Sequence, residues 1–391
     1  MLTSYVFLAT LCLFHVQAMV VEPRSPKPAF LSLDEKRLRD DYGKLKKGNP
    51  DLPNKQFDDE YNDELYWDGK FGTTASFWRQ YPFDVLKDGV DTAENEYSDA
   101  HPHFSASRLP GLGGTGGNGD YIACRSPVKE GRSQKFMYWD MIWNLGKDDI
   151  ILVDLVNYHG DALTEGQADL IPSATKKTLT FLPPTDRKTK KVISPYSGQY
   201  VVQYQDIQKA WPDKDLEYRK VRLEQQSGAQ GRPGSRPRNL HYFHLTGWKN
   251  RQPVDMEKLQ FLIDQVDQKL PSGSKPPLVV NCLLGKGRTG TFIEAREIYH
   301  ATVKAKNTKW FLSSADPIAD YTLRLRQIRS FMLDSASQFV FLHTGWAARM
   351  WTQTAGGGPA NPQAGPASSP GPASPGPKQP SPDRRPSSPI P

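Results

Sequence analysis

The run Leu278-Val279-Val280-Asn281-Cys282-Leu283-Leu284-Gly285-Lys286-Gly287-Arg288-Thr289-Gly290 passes from apolar residues into a glycine-rich turn. Leu278, Val279 and Val280 are read as a short buried strand. Cys282 follows, and five residues, two of them glycines, separate it from Arg288. Thr291 to Ile298 then carries helix-forming residues. Strand, glycine-rich turn and helix N-terminus together make an anion cradle. Glycines let successive backbone N–H groups point inward, and the helix dipole adds positive potential at the same place. That field favours the thiolate form of Cys282, the form that attacks phosphorus. Arg288 brings a planar fork that can hold two phosphoryl oxygens, which a lysine could not do. Thr289 is placed to hydrogen-bond the sulfur and stabilise it as a leaving group in a second step.

Two rival readings compete. A buried cysteine before a glycine-rich turn can be purely structural, but the fixed Cys-x5-Arg-Thr-Gly spacing between strand and helix argues against that. A nucleotide-binding loop needs G-x4-G-K-[ST]. Here Gly287 is followed by Arg288, so the pattern fails.

Outward from this run, helix and strand signals alternate, which predicts α/β architecture. Ser133 to Leu145 sets Phe136, Trp139, Ile142 and Trp143 on one helical face. Ile150 to Val156 is a mostly apolar run fit for a buried strand. Asp255 is positioned to cap a helix with Leu259, Leu262, Ile263, Val266 and Leu270 on its inner face.

With these residues in view, the sequence resembles the classical protein tyrosine phosphatase family. Tyr121-Ile122-Ala123-Cys124-Arg125-Ser126-Pro127 resembles the family's Y-I-A-[TC]-Q-G-P. Tyr138-Trp139-Asp140-Met141-Ile142-Trp143 resembles its F-W-R-M-[IV]-W helix, and Ala106-Ser107-Arg108 the end of D-Y-I-N-A-S-R. Leu240 to Trp248 resembles the approach to the general-acid loop. Leu325-Arg326-Gln327-Ile328-Arg329 with Gln338-Phe339-Val340-Phe341 resembles the C-terminal L-R-x-Q-R…Q-Y-x-F region. Order and spacing agree across about residues 75–345. The resemblance implies a single domain with a twisted mixed sheet flanked by helices. It implies Cys282 as nucleophile and Arg288 as phosphate clamp. Leu283, Leu284, Gly285, Lys286 and Gly287 would supply backbone donors, while Trp248 and Gln338 would line the substrate.

The chain also departs from the pattern. Asn281 stands where the family has a histidine before the nucleophile. The general-acid motif W-P-D reads Trp248-Lys249-Asn250, and an amide donates no proton to a leaving phenolate. General acid catalysis is usually worth about 10²–10⁴-fold, so its loss weakens turnover without abolishing it. Asp334 replaces the first C-terminal glutamine, which positions the attacking water. A literal Trp211-Pro212-Asp213 occurs far upstream and is read as a decoy. Asp255 is a more reachable substitute acid, set against its role as a helix cap. The substrate-gripping N-R-Y has no match before Tyr81-Pro82-Phe83-Asp84.

The chain ends differ in character. Tyr5 to Val16 is an apolar stretch, and Val16-Gln17-Ala18 offers a small-residue cleavage site, so residues 1–18 are read as a signal peptide and the protein as secreted. No further stretch reaches 18 apolar residues, so no transmembrane segment is predicted. Residues 19–70 are read as a polar leader, flexible or loosely docked, and residues 71–354 as the phosphatase-like domain. Residues 355–391 are Gly, Ala, Ser and Pro with almost nothing apolar, a disordered tail. A second disordered insert is expected over Gln225 to Pro237. The 391 residues are 37% hydrophobic, enough for a sizeable core. The net charge of +7 favours anionic partners only mildly. No nucleic acid or cofactor is implied, and no metal is predicted, because His101, His103, His241 and His244 lack metal-ligand partners at convincing spacing. A Cys124–Cys282 bridge is left open.

Three functions are weighed on these grounds. The first is a secreted protein tyrosine phosphatase acting on a phosphotyrosine-containing protein or peptide through a phosphocysteine intermediate, with weakened general-acid catalysis. The second is a phosphotyrosine-binding pseudophosphatase, for which Asn250 is the discriminating residue. The third is a phosphoinositide-directed phosphatase, suggested by Lys286, whose plainer reading is a solvated lysine on the loop rim.

Overall fold

In a computed structural model of the protein, the described residues are 26–47, 106–112, 121–127, 132–145, 147–158, 170–183, 198–227, 236–270, 278–329 and 331–355. The expected signal peptide over residues 1–18, Tyr81 to Asp84, residues 228–235 and residues 356–391 lie outside them.

Eight strands form one sheet in the order β1-β2-β8-β3-β7-β6-β5-β4. They are β1 (Ala106–Leu109), β2 (Tyr121–Arg125), β3 (Asp149–Asp154), β4 (Thr178–Phe181), β5 (Gly198–Trp211), β6 (Leu216–Ser227), β7 (Arg238–Leu245) and β8 (Leu278–Cys282). β2, β8, β3 and β7 run parallel at the centre, and the other pairs are antiparallel. This is the twisted mixed sheet expected of the family. The parallel strands are buried on both faces, which is why they read as nearly unbroken apolar runs.

Helices cover both faces. α1 (Glu35–Lys47), α3 (Met256–Asp267), α4 (Gly287–Tyr299), α5 (Pro317–Ile328), α6 (Ala336–Val340) and α7 (Ala348–Ala355) supply one core, and α2 (Arg132–Asn144) packs on the opposite face. Trp139, Phe136 and Ile142 from α2 are fully or almost fully buried there. Asp255 caps α3 by accepting from the amides of Glu257 and Lys258 at 2.9 and 3.0 Å.

Two boundaries differ from expectation. Part of the polar leader belongs to the domain. Phe30, Leu31, Leu38 and Tyr42 are buried in the α4-side core. Leu38 and Tyr42 lie four apart, on one face of α1. The Tyr42 ring sits 5.8 Å from that of Phe339, and its hydroxyl donates to the Leu333 carbonyl at 3.2 Å. Dense charge on the outer face, such as the Arg39–Glu35 pair, masked four inward residues in the average. Gln225 to Ser227, expected to begin a disordered insert, instead extend β6 and pair with Gly198 to Tyr200.

Candidate active site

Cys282 closes β8 and is 3% exposed. Ladder bonds carry the strand into the loop: Leu155 N donates to Asn281 O at 2.8 Å, and Ser126 N to Cys282 O at 2.9 Å. Gly285 then takes φ +66°, and a Cβ there would lie well inside contact distance of the Cys124 carbonyl. Only glycine meets both conditions.

Outside donors then fix the loop carbonyls. Arg329, 3% exposed, donates Nη2 to Leu284 O and Nε to Gly285 O, both at 2.9 Å, and Nη1 to Ser107 Oγ at 3.2 Å. Leu333 N and Gly290 N reach Lys286 O at 3.4 and 2.8 Å. In a planar trans peptide the next N–H points opposite to the carbonyl. Holding these three carbonyls outward therefore turns the amides of Gly285, Lys286 and Gly287 inward. Arg329 was quoted in the sequence only as part of a resemblance; its two-carbonyl staple is visible only once the fold brings α5 to the loop.

Around that ring of amides the side chains are polar and buried. Arg288 is 1% exposed and donates Nη1 to the Trp248 carbonyl at 2.9 Å. Thr289 Oγ1 and both amide atoms of Gln338 are buried, with no hydrogen-bond partner among the described residues. Each such atom costs about 1–3 kcal/mol if left unpaired, so an oxygen-rich anion in the cradle would relieve a standing cost. Gln338 Oε1 lies 3.0 Å from where a Cβ on Gly287 would be.

Beneath the loop lies a polar row. Cys124, Asn281, Asp154 and His244 are register neighbours across β2, β8, β3 and β7. The buried Asp154 carboxylate accepts from Asn281 Nδ2 at 2.8 Å, Tyr242 Oη at 2.8 Å, Tyr158 Oη at 2.5 Å and Val156 N at 3.0 Å. Burial pushes both tyrosine hydroxyls well above their ordinary range, which keeps them protonated as donors. Asn281, where the family carries a histidine, is thus tied to a buried carboxylate. The sequence signal was a lone Asp closing an apolar strand. Cys124 shares this face while Cys282 faces the other core, and both are free thiols. No bridge joins them. Burial lifts the Cys124 thiol far above the usual range, so it stays protonated.

Trp248 to Arg251 forms the lip opposite. Trp248 is 2% exposed and donates Nε1 to Gln252 O at 2.8 Å. Lys249 and Asn250 are exposed. Arg251 adopts φ 58°, donates Nε to Asp334 Oδ2 at 3.3 Å, and its carbonyl accepts from Ser335 Oγ at 2.9 Å. The lip is therefore pinned to the cradle by Arg288 and to the Asp334–Ser335 segment by Arg251. Asp255 is exposed at the start of α3, its Oδ1 taken by two amides. Asp213 sits in an exposed turn between β5 and β6, 3.8 Å from Lys214 Nζ. Lys286 corrects the expectation of a solvated rim lysine: it is 6% exposed, with Nζ 4.9 Å from the Phe331 ring centre. Among the described residues no cluster of His, Cys, Asp or Glu is placed to hold a metal ion.

A cysteine at the mouth of a strand, a ring of inward amides and a buried arginine clamp define a cysteine-dependent phosphatase fold. The family model described as protein-tyrosine phosphatase matches residues 90–347, and the chain belongs to that family. It is 27% identical over 229 residues to tyrosine-protein phosphatase 2 of Schizosaccharomyces pombe, covering 58% of this chain and 28% of that protein. It is 24% identical over 225 residues to human tyrosine-protein phosphatase non-receptor type 7, covering 57% of this chain and 50% of the relative. The chain thus spans half or less of these relatives' length. Among solved structures it is similar in fold to the Trypanosoma cruzi protein tyrosine phosphatase TcPTP1, with TM-score 0.53 and 15% identity over 83% of this chain and 98% of that one.

Proposed function

We propose that the chain is a secreted protein tyrosine phosphatase that hydrolyses phosphotyrosine through a phosphocysteine intermediate. The observation that carries the reading is the cradle: amides turned inward, Arg288 locked in place, and buried Thr289 and Gln338 atoms without partners. The Cys282 sulfur forms the S–P bond as the P–O bond to the phenolate breaks. Arg288 and the amides hold the charge on the transferring group. Asn250 has no acidic proton, so the phenolate takes its proton from solvent and the step is slow for poor leaving groups. Water then attacks phosphorus, the P–S bond breaks, and Thr289 Oγ1 stabilises the departing sulfur. The apolar Tyr5–Val16 stretch and the Ala18 site support secretion. Protein recovered from the medium should begin at Met19.

A second reading, phosphotyrosine capture without turnover, is favoured by the amide at position 250. The phosphoinositide reading loses its support, because the Lys286 ammonium lies over Phe331. The deciding experiment follows p-nitrophenyl phosphate and phosphotyrosine-peptide hydrolysis under reducing conditions, beside Cys282→Ser. Turnover in the parent that disappears in Cys282→Ser supports the enzyme. No turnover, with the peptide bound and release caused by Arg288→Ala, replaces it with the capture reading.

A further inference from the structure

Asp334 stands at the cradle wall. Its Cβ lies 3.3 Å from where a side chain on Gly287 would begin, beside Gln338 Oε1 at 3.0 Å. Gly287 is the last cradle residue before Arg288, so Asp334 and Gln338 flank the same side of the anion site. They differ in access: Gln338 is fully buried, while the Asp334 side chain is 24% exposed. Asp334 therefore meets both the cradle and the water that must enter it. Its Oδ2 accepts a single long bond, 3.3 Å, from Arg251 Nε. Among the described residues its Oδ1 has no hydrogen bond. Across the lip, position 250 offers only an amide.

We infer that Asp334 is the general base for the second half of the reaction; the inference rests on the phosphatase reading above. Water entering between Gln338 and the phosphoryl group gives one proton to Asp334 Oδ1 as its oxygen bonds to phosphorus. The P–S bond breaks, its electron pair returns to Cys282 as thiolate, and inorganic phosphate leaves. Asp334 then releases the proton to solvent. Arg251, through Oδ2, orients the carboxylate and ties the lip over the site during hydrolysis. The chain would thus divide proton handling unevenly: no acid for the first step and a carboxylate base for the second.

The test is rapid-quench kinetics of the full chain with radiolabelled 2,4-dinitrophenyl phosphate, whose leaving group needs no acid. Parent, Asp334→Asn, Asp334→Glu and Arg251→Gln are compared for label held on Cys282 and for steady-state release of phosphate. The expected result is that Asp334→Asn forms phosphocysteine at the parent rate but releases phosphate about a hundredfold more slowly, so label accumulates. Asp334→Glu should recover part of that loss. Parent-like release from Asp334→Asn overturns the inference while leaving the phosphatase reading intact. Equal slowing of both steps in Asp334→Asn, matched by Arg251→Gln, also overturns it and makes Asp334 a support for the lip. A parent that neither labels Cys282 nor releases phosphate overturns the phosphatase reading and this inference with it.

Discussion

The cradle and the lip face each other across a few ångströms yet are held by different physics. Backbone bonds to buried groups fix the cradle: Arg329 staples two carbonyls, Ser126 and Leu155 extend the sheet into it, and Gly285 fills a place no other residue fits. The lip is anchored at Trp248 by the buried Arg288, but beyond Trp248 exposed side chains hold it. The Arg251–Asp334 pair, with the arginine 63% exposed, is worth well under about 1 kcal/mol, and Lys249 and Asn250 point to solvent. The chain keeps the family's cysteine and arginine in the cradle. It departs from the family at the lip, where Asn250 is exposed, and beneath the loop, where Asn281 is tied to the buried Asp154 carboxylate. On the proposed reading, phosphate recognition would rest on the buried cradle, whereas leaving-group protonation would rest on the exposed side chain at position 250.

That contrast is broken most severely from the cradle side. Gly285→Ala would bring a Cβ into the Cys124 carbonyl and strain a left-handed residue. The clashing atom is sheet backbone and cannot swing away, so the loop must shift and its amides lose their aim. Removing one oxyanion donor alone costs about 10²–10³-fold. We expect kcat/KM to fall on the order of a thousandfold, with loss of phosphate protection in thermal melts. A variant with parent-like kinetics would show that the cradle is as tolerant as the lip.

The lip responds in the opposite direction. Asn250 is exposed and, among the described residues, makes no hydrogen bond that an aspartate would forfeit, so Asn250→Asp should fold normally. With a phosphotyrosine peptide, whose leaving group needs a proton, kcat should rise about a hundredfold, the lower part of what a general acid contributes. The gain should shrink with dinitrophenyl phosphate. An equal gain on both substrates would mean that the change acts on binding or on the lip's position.

The same contrast explains what could be read from the sequence. Cys282, the glycines, Arg288 and the strand before them were legible because their spacing is set by backbone geometry, which leaves few alternatives. The helix over residues 132–144 and the Asp255 cap were legible because periodicity and capping are local. Arg329 and Asp154 were not, since each acts on residues far along the chain: Arg329 on Leu284 and Gly285, Asp154 on Asn281. Leu38 and Tyr42 were missed for a different reason. Two inward residues on a helix otherwise crowded with charge are outweighed in composition, yet burying each contributes about 1.5–3 kcal/mol. Lys286 was misread because the aromatic ring that shelters it, Phe331, belongs to a segment with no sequence signature for that contact.

The cradle's solidity has one weak point behind it, which sets the smallest of these effects. Glu294 lies in α4, fully buried, with Thr322 Oγ1 at 3.1 Å from both carboxylate oxygens. Burial pushes its carboxyl up to about 8, against the pull of the Thr322 hydrogen bond and of Arg326. Below about pH 4.5 the group is protonated in folded and unfolded chains alike. Between there and about pH 8 the unfolded chain gives up its proton while the folded one keeps it, so folding loses stability as pH rises. Above that range the loss is complete, on the order of several kcal/mol. Glu294→Gln keeps an acceptor for Thr322 and cannot ionise. Its melting temperature should match the parent near pH 5 and exceed it by several degrees at pH 8.5, with the difference opening across that interval. Parallel melting curves at all pH values would mean that Glu294 is already ionised in the fold, with Arg326 supplying its charge partner. The cradle's helix would then be as firmly held behind the loop as in front of it.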